Sequence, residues 1–551
     1  MLMTSTIAPA AERSARGAVL SPAYPIRASG PTRVSETWAL PELKVEPEQA
    51  PTETLADALD SAYRSNPSLQ IGRYQLRSLD EDYAQALSEV RPTSQIQIDS
   101  GYLRQVPAEQ NSIFGNNRSV IHSNSLNGQL VVDQPLYTGG KASADTAAAV
   151  GEIRAGRAQL RSIEGDLFLH IVAAYVDIRR DVRVLALRSA NLKQLQATLD
   201  EVIARREAGE LTRTDIAQAE TQLEAARAQA NAAEQQLEQD RTSFADLVGH
   251  GPGVLAPEPP LPGLPQSADA ALELAQRLNP DLAQAIEAER ASRARIAASK
   301  SEGRPTVSIR GTASFDGAAD PFRLRRDNRD LSARAVLTIP LTNGGRVASL
   351  VAQARDRNDA DRIRIEQARR ALVHALVDAW NGLATAERNV QVQKAQLESS
   401  RVLDEGTFEE YRAGLRSTFD VLFAHSALRD AEIALVNSEH DLYLAEATIL
   451  RQAGLLEART LLVSTPLYDP ARNTRHAARR GAVPWEGLVR AVDRAAMPPS
   501  SQDMLVQPPQ AATTARLAPA APVPGAPLVR NLPSLPMPGT VGVPERSGTE
   551  R

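Results

Sequence analysis

Pro135-Leu136-Tyr137-Thr138-Gly139-Gly140-Lys141 and Pro340-Leu341-Thr342-Asn343-Gly344-Gly345-Arg346 are two copies of one pattern, 205 residues apart. Each follows an alternating apolar/polar run and precedes a very long helical pattern. Proline cannot donate to a strand ladder, and paired glycines let the backbone turn sharply. Each stretch therefore predicts a corner where a strand ends and a helix begins, at Pro135, Gly139 and Gly140 and again at Pro340, Gly344 and Gly345. One copy alone would read equally well as a flexible loop. Two copies in matching context indicate an internal duplication. A nucleotide-binding loop is excluded, because Pro135 stands where its first glycine belongs and no Ser or Thr directly follows Lys141.

The duplication extends outward from the corners. Asn66-Pro67-Ser68-Leu69 is echoed by Asn279-Pro280-Asp281-Leu282, and Arg91-Pro92-Thr93 by Arg304-Pro305-Thr306, both at an offset of 213. Eight extra residues therefore lie in the first half between Pro92 and Pro135. Downstream the offset of 205 pairs Tyr175 with Trp380, Gly209 with Gly414 and Asp215 with Asp420. Each half reads helix, strand, loop, strand, long helix, turn, helix.

The bulk properties narrow the class. The chain has 551 residues, a net charge of −5 and no cysteine. Disulfides, thiolate metal sites, nucleophilic cysteine and lipid attachment through an N-terminal cysteine are excluded. The mild charge points to no nucleic-acid partner. No apolar run approaches the ~18 residues of a membrane-spanning helix, so any membrane segment must be a strand. The seven histidines show no metal-ligand spacing. His170 and His374 fall at nearly equivalent repeat positions and read as helix-packing residues. No nucleophile motif is present, no cofactor is implied, and an enzyme is not expected.

In chain order, residues 1–51 form a Pro/Ala-rich segment expected to be disordered, without a recognisable secretory signal. The first repeat covers 52–250, with strands near 93–103 and 125–134. A linker covers 251–267. The second repeat covers 268–462, with strands near 306–315 and 330–339. A Pro/Ala-rich tail, 463–551, lacks a hydrophobic period and is expected to be disordered. The helix over 53–90 should be interrupted at Asn66-Pro67. Helices over 141–207 and 346–412 would each run roughly 100 Å at about 1.5 Å per residue. They stop at Ala208-Gly209-Glu210 and Ala413-Gly414-Leu415, and shorter helices return. The linker and the segment after Glu457 should fall at mid-height, as a belt.

The four strands have one apolar and one polar face and about ten residues each, the length of a tilted transmembrane strand. A single such pair also fits a half-buried soluble hairpin. Four strands cannot close a barrel, whereas three copies would supply twelve.

The duplicated plan, Asn-Pro near each repeat start, Pro-Leu-x-x-Gly-Gly at the strand exits and Tyr411-Arg412-Ala413-Gly414-Leu415-Arg416-Ser417-Thr418-Phe419-Asp420-Val421-Leu422 together resemble the TolC family of trimeric outer-membrane factors. The resemblance covers about residues 52–462. It implies a mainly α fold with a small β part: duplicated α-hairpins forming a trimeric α-barrel in the periplasm, below a shared twelve-stranded β-barrel in the outer membrane of a Gram-negative bacterium. It further implies an exit duct for a tripartite efflux pump or a type I secretion system, partnered by a periplasmic adaptor, an inner-membrane pump and outer-membrane lipid. Carried over residue by residue, Tyr411, Arg416, Thr214 and Asp215 match the family's gate latch. Asp420 matches the first acidic ring of its entrance, while Phe423 replaces the second acid, giving one acidic ring beside an apolar constriction. Ala208-Gly209-Glu210 and Ala413-Gly414-Leu415 match the adaptor-docking tips. Two plainer readings stay open. Asp215 and Asp420 fit helix N-terminal charges, and Tyr411 and Phe423 fit a helical seam. At the level of function the rival is a coiled-coil scaffold that never enters a membrane.

Overall fold

A computed structural model describes residues 52–106, 121–318, 328–462 and 465–495, all in one compact unit. The expectations for 1–51 and for the tail beyond 495 lie outside the described residues. In order the elements are β1 (Thr52–Glu53), α1 (Leu55–Ser65), α2 (Pro67–Ser88), β2 (Thr93–Gln105), β3 (Ile121–Tyr137), α3 (Lys141–Glu207), α4 (Arg213–Val248), β4 (Val254–Leu255), α5 (Ala268–Leu278), α6 (Pro280–Ser301), β5 (Thr306–Ala318), β6 (Asn328–Thr338), α7 (Arg346–Arg412), α8 (Thr418–Ala453), α9 (Ala458–Leu461), α10 (Pro470–Arg479) and α11 (Glu486–Ala495).

The duplication is written in the helix lengths. The paired helices α1/α5, α2/α6, α3/α7 and α4/α8 have 11, 22, 67 and 36 residues in both halves. Local chemistry sets the same boundaries twice. Asn66 and Asn279 cap α2 and α6 through their side-chain oxygens, each with proline at the first helical position, where the missing N–H costs nothing. Gly140 and Gly345 precede α3 and α7 in the left-handed region, at φ 85° and 82°. Interior glycines matter where helices meet closely: a Cβ at Gly151 of α3 would sit 2.9 Å from the Ala291 backbone of α6.

β2, β3, β5 and β6 form one antiparallel sheet in that order. Register places Ile96, Leu130, Ala313 and Leu331 in one row, and Thr93, Asp133, Arg310 and Arg334 in a row of the opposite parity. The sheet is therefore apolar on one face and polar on the other, and Arg310 Nε donates to Asp133 Oδ2 at 2.9 Å on the polar side. β2 and β6 have no partner on their outer edges among the described residues.

The main core joins α1, α2, α3, α4 and α8 around Phe168, Tyr175 and Phe244. A smaller cluster in the second half, with Leu372, Leu376 and half-buried Trp380, is its counterpart. The Tyr175 hydroxyl donates to the Ala256 carbonyl at 2.7 Å and contacts that of Glu53 at 3.1 Å. It thereby clips the two-residue parallel ladder of β1 and β4 to the middle of α3.

Three expectations need correction. Pro135 does not end its strand: β3 continues to Tyr137, and the proline is absorbed at a register shift against β5. The 463–551 segment is not wholly disordered, because α10 and α11 are helices packed on the first half. Their anchors are polar: buried Asp80 accepts from Asn473 and Thr474, and buried Arg91 pairs with Glu486 at 2.9 Å. The expectation that this stretch lacks a hydrophobic period also fails at α11, where Leu488, Val489 and Val492 recur at helical spacing. His170 is exposed and His374 is exposed beside Asp378, so neither packs a helix seam. At the second corner Pro340 lies just past β6, which stops at Thr338, where the sequence puts the strand exit.

Candidate functional site

The helix turns farthest along the chain from the sheet carry most of the candidate residues. At both, the long helix ends in the same reciprocal carbonyl cap. Gly209 and Glu210 N–H groups donate to Arg206 and Arg205 carbonyls, and Gly414 and Leu415 N–H groups to Tyr411 and Glu410 carbonyls. Gly209 and Gly414 hold φ of 85° and 76° with open space around them. Ala208-Gly209-Glu210 and Ala413-Gly414-Leu415 are thus exposed, well-defined tips.

Each returning helix begins with a capping box. Thr212 and Asp215 satisfy each other's backbone N–H groups at the start of α4, and Ser417 and Asp420 do so at the start of α8. The Thr212 backbone and hydroxyl hold the Asp215 carboxyl below its ordinary range, and the Ser417 hydroxyl and backbone do the same for Asp420. Within one chain the plainer reading of these two aspartates therefore accounts for their hydrogen bonds. Among the described residues no hydrogen bond or ion pair joins Thr214 or Asp215 to Tyr411 or Arg416. Arg416 pairs with Glu410 at 2.6 Å. Tyr411 is buried, and the Arg205 guanidinium lies 4.7 Å from its ring centre. Arg205 was not singled out by sequence; its place in the last turn of α3, before a glycine tip, is the signal that marks it. Phe423 is 62% exposed and Phe419, one turn earlier, is 52% exposed, so the apolar patch at this end is broader than Phe423 alone.

A second charged group escaped sequence reading. Asp177, Arg180 and Asp181 of α3 meet Asp240 of α4 and His440 of α8. Burial first, and then neighbouring Asp240, push the Asp181 carboxyl up to about 6. Burial opposes the charge on His440, but Asp177 at 2.8 Å and Asp441 at 3.0 Å outweigh it and raise its pKa. The clustered charges Asp177, Arg180 and Asp181 in an otherwise apolar helix segment are the available clue.

At the sheet end, Gly139 is enclosed. A Cβ there would lie 2.9 Å from the Arg304 Cβ. Asp493 of α11, fully buried, accepts through Oδ1 from the Thr138 backbone and hydroxyl and from the Gly140 backbone. Its Oδ2 accepts from the Ser143 backbone and hydroxyl. Burial would raise this carboxyl's pKa; the hydrogen bonds from Thr138, Ser143 and Gly140 outweigh it and lower it. A Cβ at Gly344 or Gly345 would meet nothing within 4 Å, and Leu341 is 89% exposed.

No helix among the described residues is long and apolar enough to cross a membrane, and no acid–histidine cluster there could hold a metal ion. Two repeats of paired long helices, feeding one two-faced antiparallel sheet with open edges, define a channel protomer of the outer-membrane type. The sequence model of the outer membrane efflux protein family matches residues 58–250 and 271–455, more than half of the chain, and the chain belongs to that family. It is similar to the outer membrane efflux protein BepC of Brucella suis biovar 1, with 29% identity over 438 residues, 79% of this chain and 92% of the relative. To the outer membrane protein TolC of Escherichia coli K12 it is 22% identical, over 74% of this chain and 84% of that one. Its fold matches the crystal structure of a membrane protein from Pseudomonas aeruginosa at a TM-score of 0.65 and 22% identity, over 74% of this chain and 92% of that one. The protein is an outer-membrane exit duct and a passive channel, not an enzyme, and the soluble scaffold is set aside.

Proposed function

We propose that three copies of this chain assemble the duct, with β6 of each copy pairing β2 of the next. The barrel is then twelve-stranded, and the long helices form a periplasmic tunnel beneath it. The observation that carries this reading is that, among the described residues, the sheet has four strands and two open edges. Unpaired edges in hydrocarbon would leave a row of N–H and C=O groups without partners, at several kcal/mol each.

At the far end the mouth closes through contacts between copies involving Thr214, Asp215, Tyr411 and Arg416. Asp420 forms an acidic ring beside an apolar constriction at Phe423. Such exposed contacts contribute about 1 kcal/mol each, which suits a gate that a docking protein must open. A periplasmic adaptor docks at the tips Ala208-Gly209-Glu210 and Ala413-Gly414-Leu415, and an inner-membrane pump delivers cargo, either small molecules or polypeptides.

The test runs outer-membrane extract unheated on a gel and purified protein in planar bilayers. A heat-modifiable trimer with small, cation-favouring channels is expected; a monomer without channel activity overturns the assembly. Asp215→Ala or Arg416→Ser should raise single-channel conductance, and an unchanged conductance overturns the latch alone.

A further inference from the structure

The C-terminal strap has an outward face that the fold leaves uncovered. α11 buries Glu486, Val489 and Asp493 against the body. The same helix and the residue before it expose Trp485 (49%), Leu488 (72%) and Val492 (51%), three apolar side chains at helical spacing. Arg490 and Arg494 project from the opposite flank of the helix, since about 100° per residue separates them from the apolar edge by nearly half a turn.

The position of this edge is fixed by one hydrogen bond. Trp485 Nε1 donates to Gln134 Oε1 at 3.0 Å. Gln134 has the same strand parity as Leu130 and Val132, so it belongs to the apolar face of the sheet. Val132 lies only two residues, or about 7 Å, further up the strand. The Trp485–Leu488–Val492 edge is therefore continuous with the foot of the surface that an outer-membrane protein turns to lipid.

Beneath α11 is a cavity of about 400 Å³ whose lining includes Tyr83, Val90, Val150, Arg154, Arg490 and Arg494. Arg494 forms no ion pair among the described residues. Arg490 reaches Glu486 only at 3.9 Å, and Arg154 reaches Glu287 only at 4.0 Å. Three guanidinium groups thus surround an apolar hollow with little opposing charge.

We propose that α11 is an interfacial helix that seats Trp485, Leu488 and Val492 in the inner leaflet of the outer membrane and holds anionic phospholipid phosphate with Arg490 and Arg494. An apolar edge at the acyl boundary and basic groups at phosphate level are what an interfacial helix requires. Tryptophan, with an apolar ring and one N–H, fits the same level. The proposal uses the membrane orientation of the sheet and is independent of the gate and of the docking tips.

The test uses full-length protein with Trp38→Phe and Trp380→Phe, so that Trp485 is the single emitter, in vesicles of phosphatidylethanolamine with or without phosphatidylglycerol. Lipid brominated near the head of its acyl chain should quench Trp485 emission at least roughly twofold. Phosphatidylglycerol should deepen the quenching in the parent and not in Arg490→Gln/Arg494→Gln. Inorganic phosphate should leave it unchanged, and reversal by phosphate would overturn the lipid assignment in favour of a soluble anion. Unquenched emission overturns the proposal: at the wavelength of exposed tryptophan it places the edge in water, and blue-shifted already in detergent it places the edge against a neighbouring copy. Retention of the heat-modifiable trimer in every variant separates this result from a failure of assembly.

Discussion

The two strand-to-helix corners share sequence, positive φ and the helix that follows, yet they live in different surroundings. The first is clamped from two sides, by Arg304 Nη1 on the Gly139 carbonyl at 3.1 Å and by the five hydrogen bonds that reach Asp493. Among the described residues the second is held by little more than a partly exposed ion pair of Arg346 with Glu302 at 2.9 Å. Duplication supplied the turn twice, and the C-terminal strap answers it only once. A conformational requirement is local and repeats with the sequence; a packing requirement depends on what else arrives, and does not.

The equivalent arginines offer the strongest way to break this contrast. Arg91→Ala leaves Glu486 buried without its partner and should cost about 3–5 kcal/mol. Arg304→Ala removes one hydrogen bond and should cost about 1 kcal/mol. Urea-dependent trypsin cleavage within residues 465–495 reads the difference. Asp493→Ala strips the acceptor from the corner and should loosen the strap by about 3 kcal/mol in the same assay. Because the folded state lowers the Asp493 pKa from 3.8, its contribution is present above about pH 4 and is lost as pH falls through the lowered value. The parent strap should therefore release in acid, and Asp493→Ala should lose that acid step.

The glycines sharpen the comparison. Gly139→Ala meets both left-handed strain and the Arg304 side chain, and should cost about 2–3 kcal/mol; Gly344→Ala meets strain alone, about 1–2 kcal/mol. Thermal unfolding in detergent measures both. Equal losses would mean that the second corner is as enclosed in the assembly as the first is within the chain. The smallest effect is a pH dependence of opposite sign in the middle of the helices. Asp181 is pushed up to about 6, so its contribution is full below 3.8 and lost as pH rises through about 6. His440, raised above 6.5, loses its contribution as pH rises through its folded value. Amide protection around Asp181, with the intrinsic exchange rate divided out, should fall as pH rises from about 4 through about 6, and Asp181→Asn should flatten that fall.

Much of this was legible in residues. Paired glycines, Asn-Pro and Ala-Gly turns are backbone signals, and they placed α3 and α7 at their observed ends. The strand faces followed from alternation. The strap escaped because its two helices have only ten residues each inside a Pro/Ala-rich stretch, and although Leu488, Val489 and Val492 keep a helical spacing, the polar groups that hold it, Asp80, Arg91, Glu486 and Asp493, have partners hundreds of residues away. The helix turns fall where the Ala-Gly pairs put them, whereas the latch residues were not brought together within one chain: Asp215 is engaged by Thr212 and Tyr411 by Arg205.

The identical lengths of α3 and α7 also constrain how such a chain can change through descent. Each residue added to one long helix would carry its tip about 1.5 Å further from the corner and turn it about 100°, leaving the other tip behind. Insertions there must therefore arrive in both halves together or be lost. The eight unmatched residues of the first half lie instead between Pro92 and Pro135, in a hairpin whose length sets no tip position. Growth is free at one end of the molecule and locked at the other.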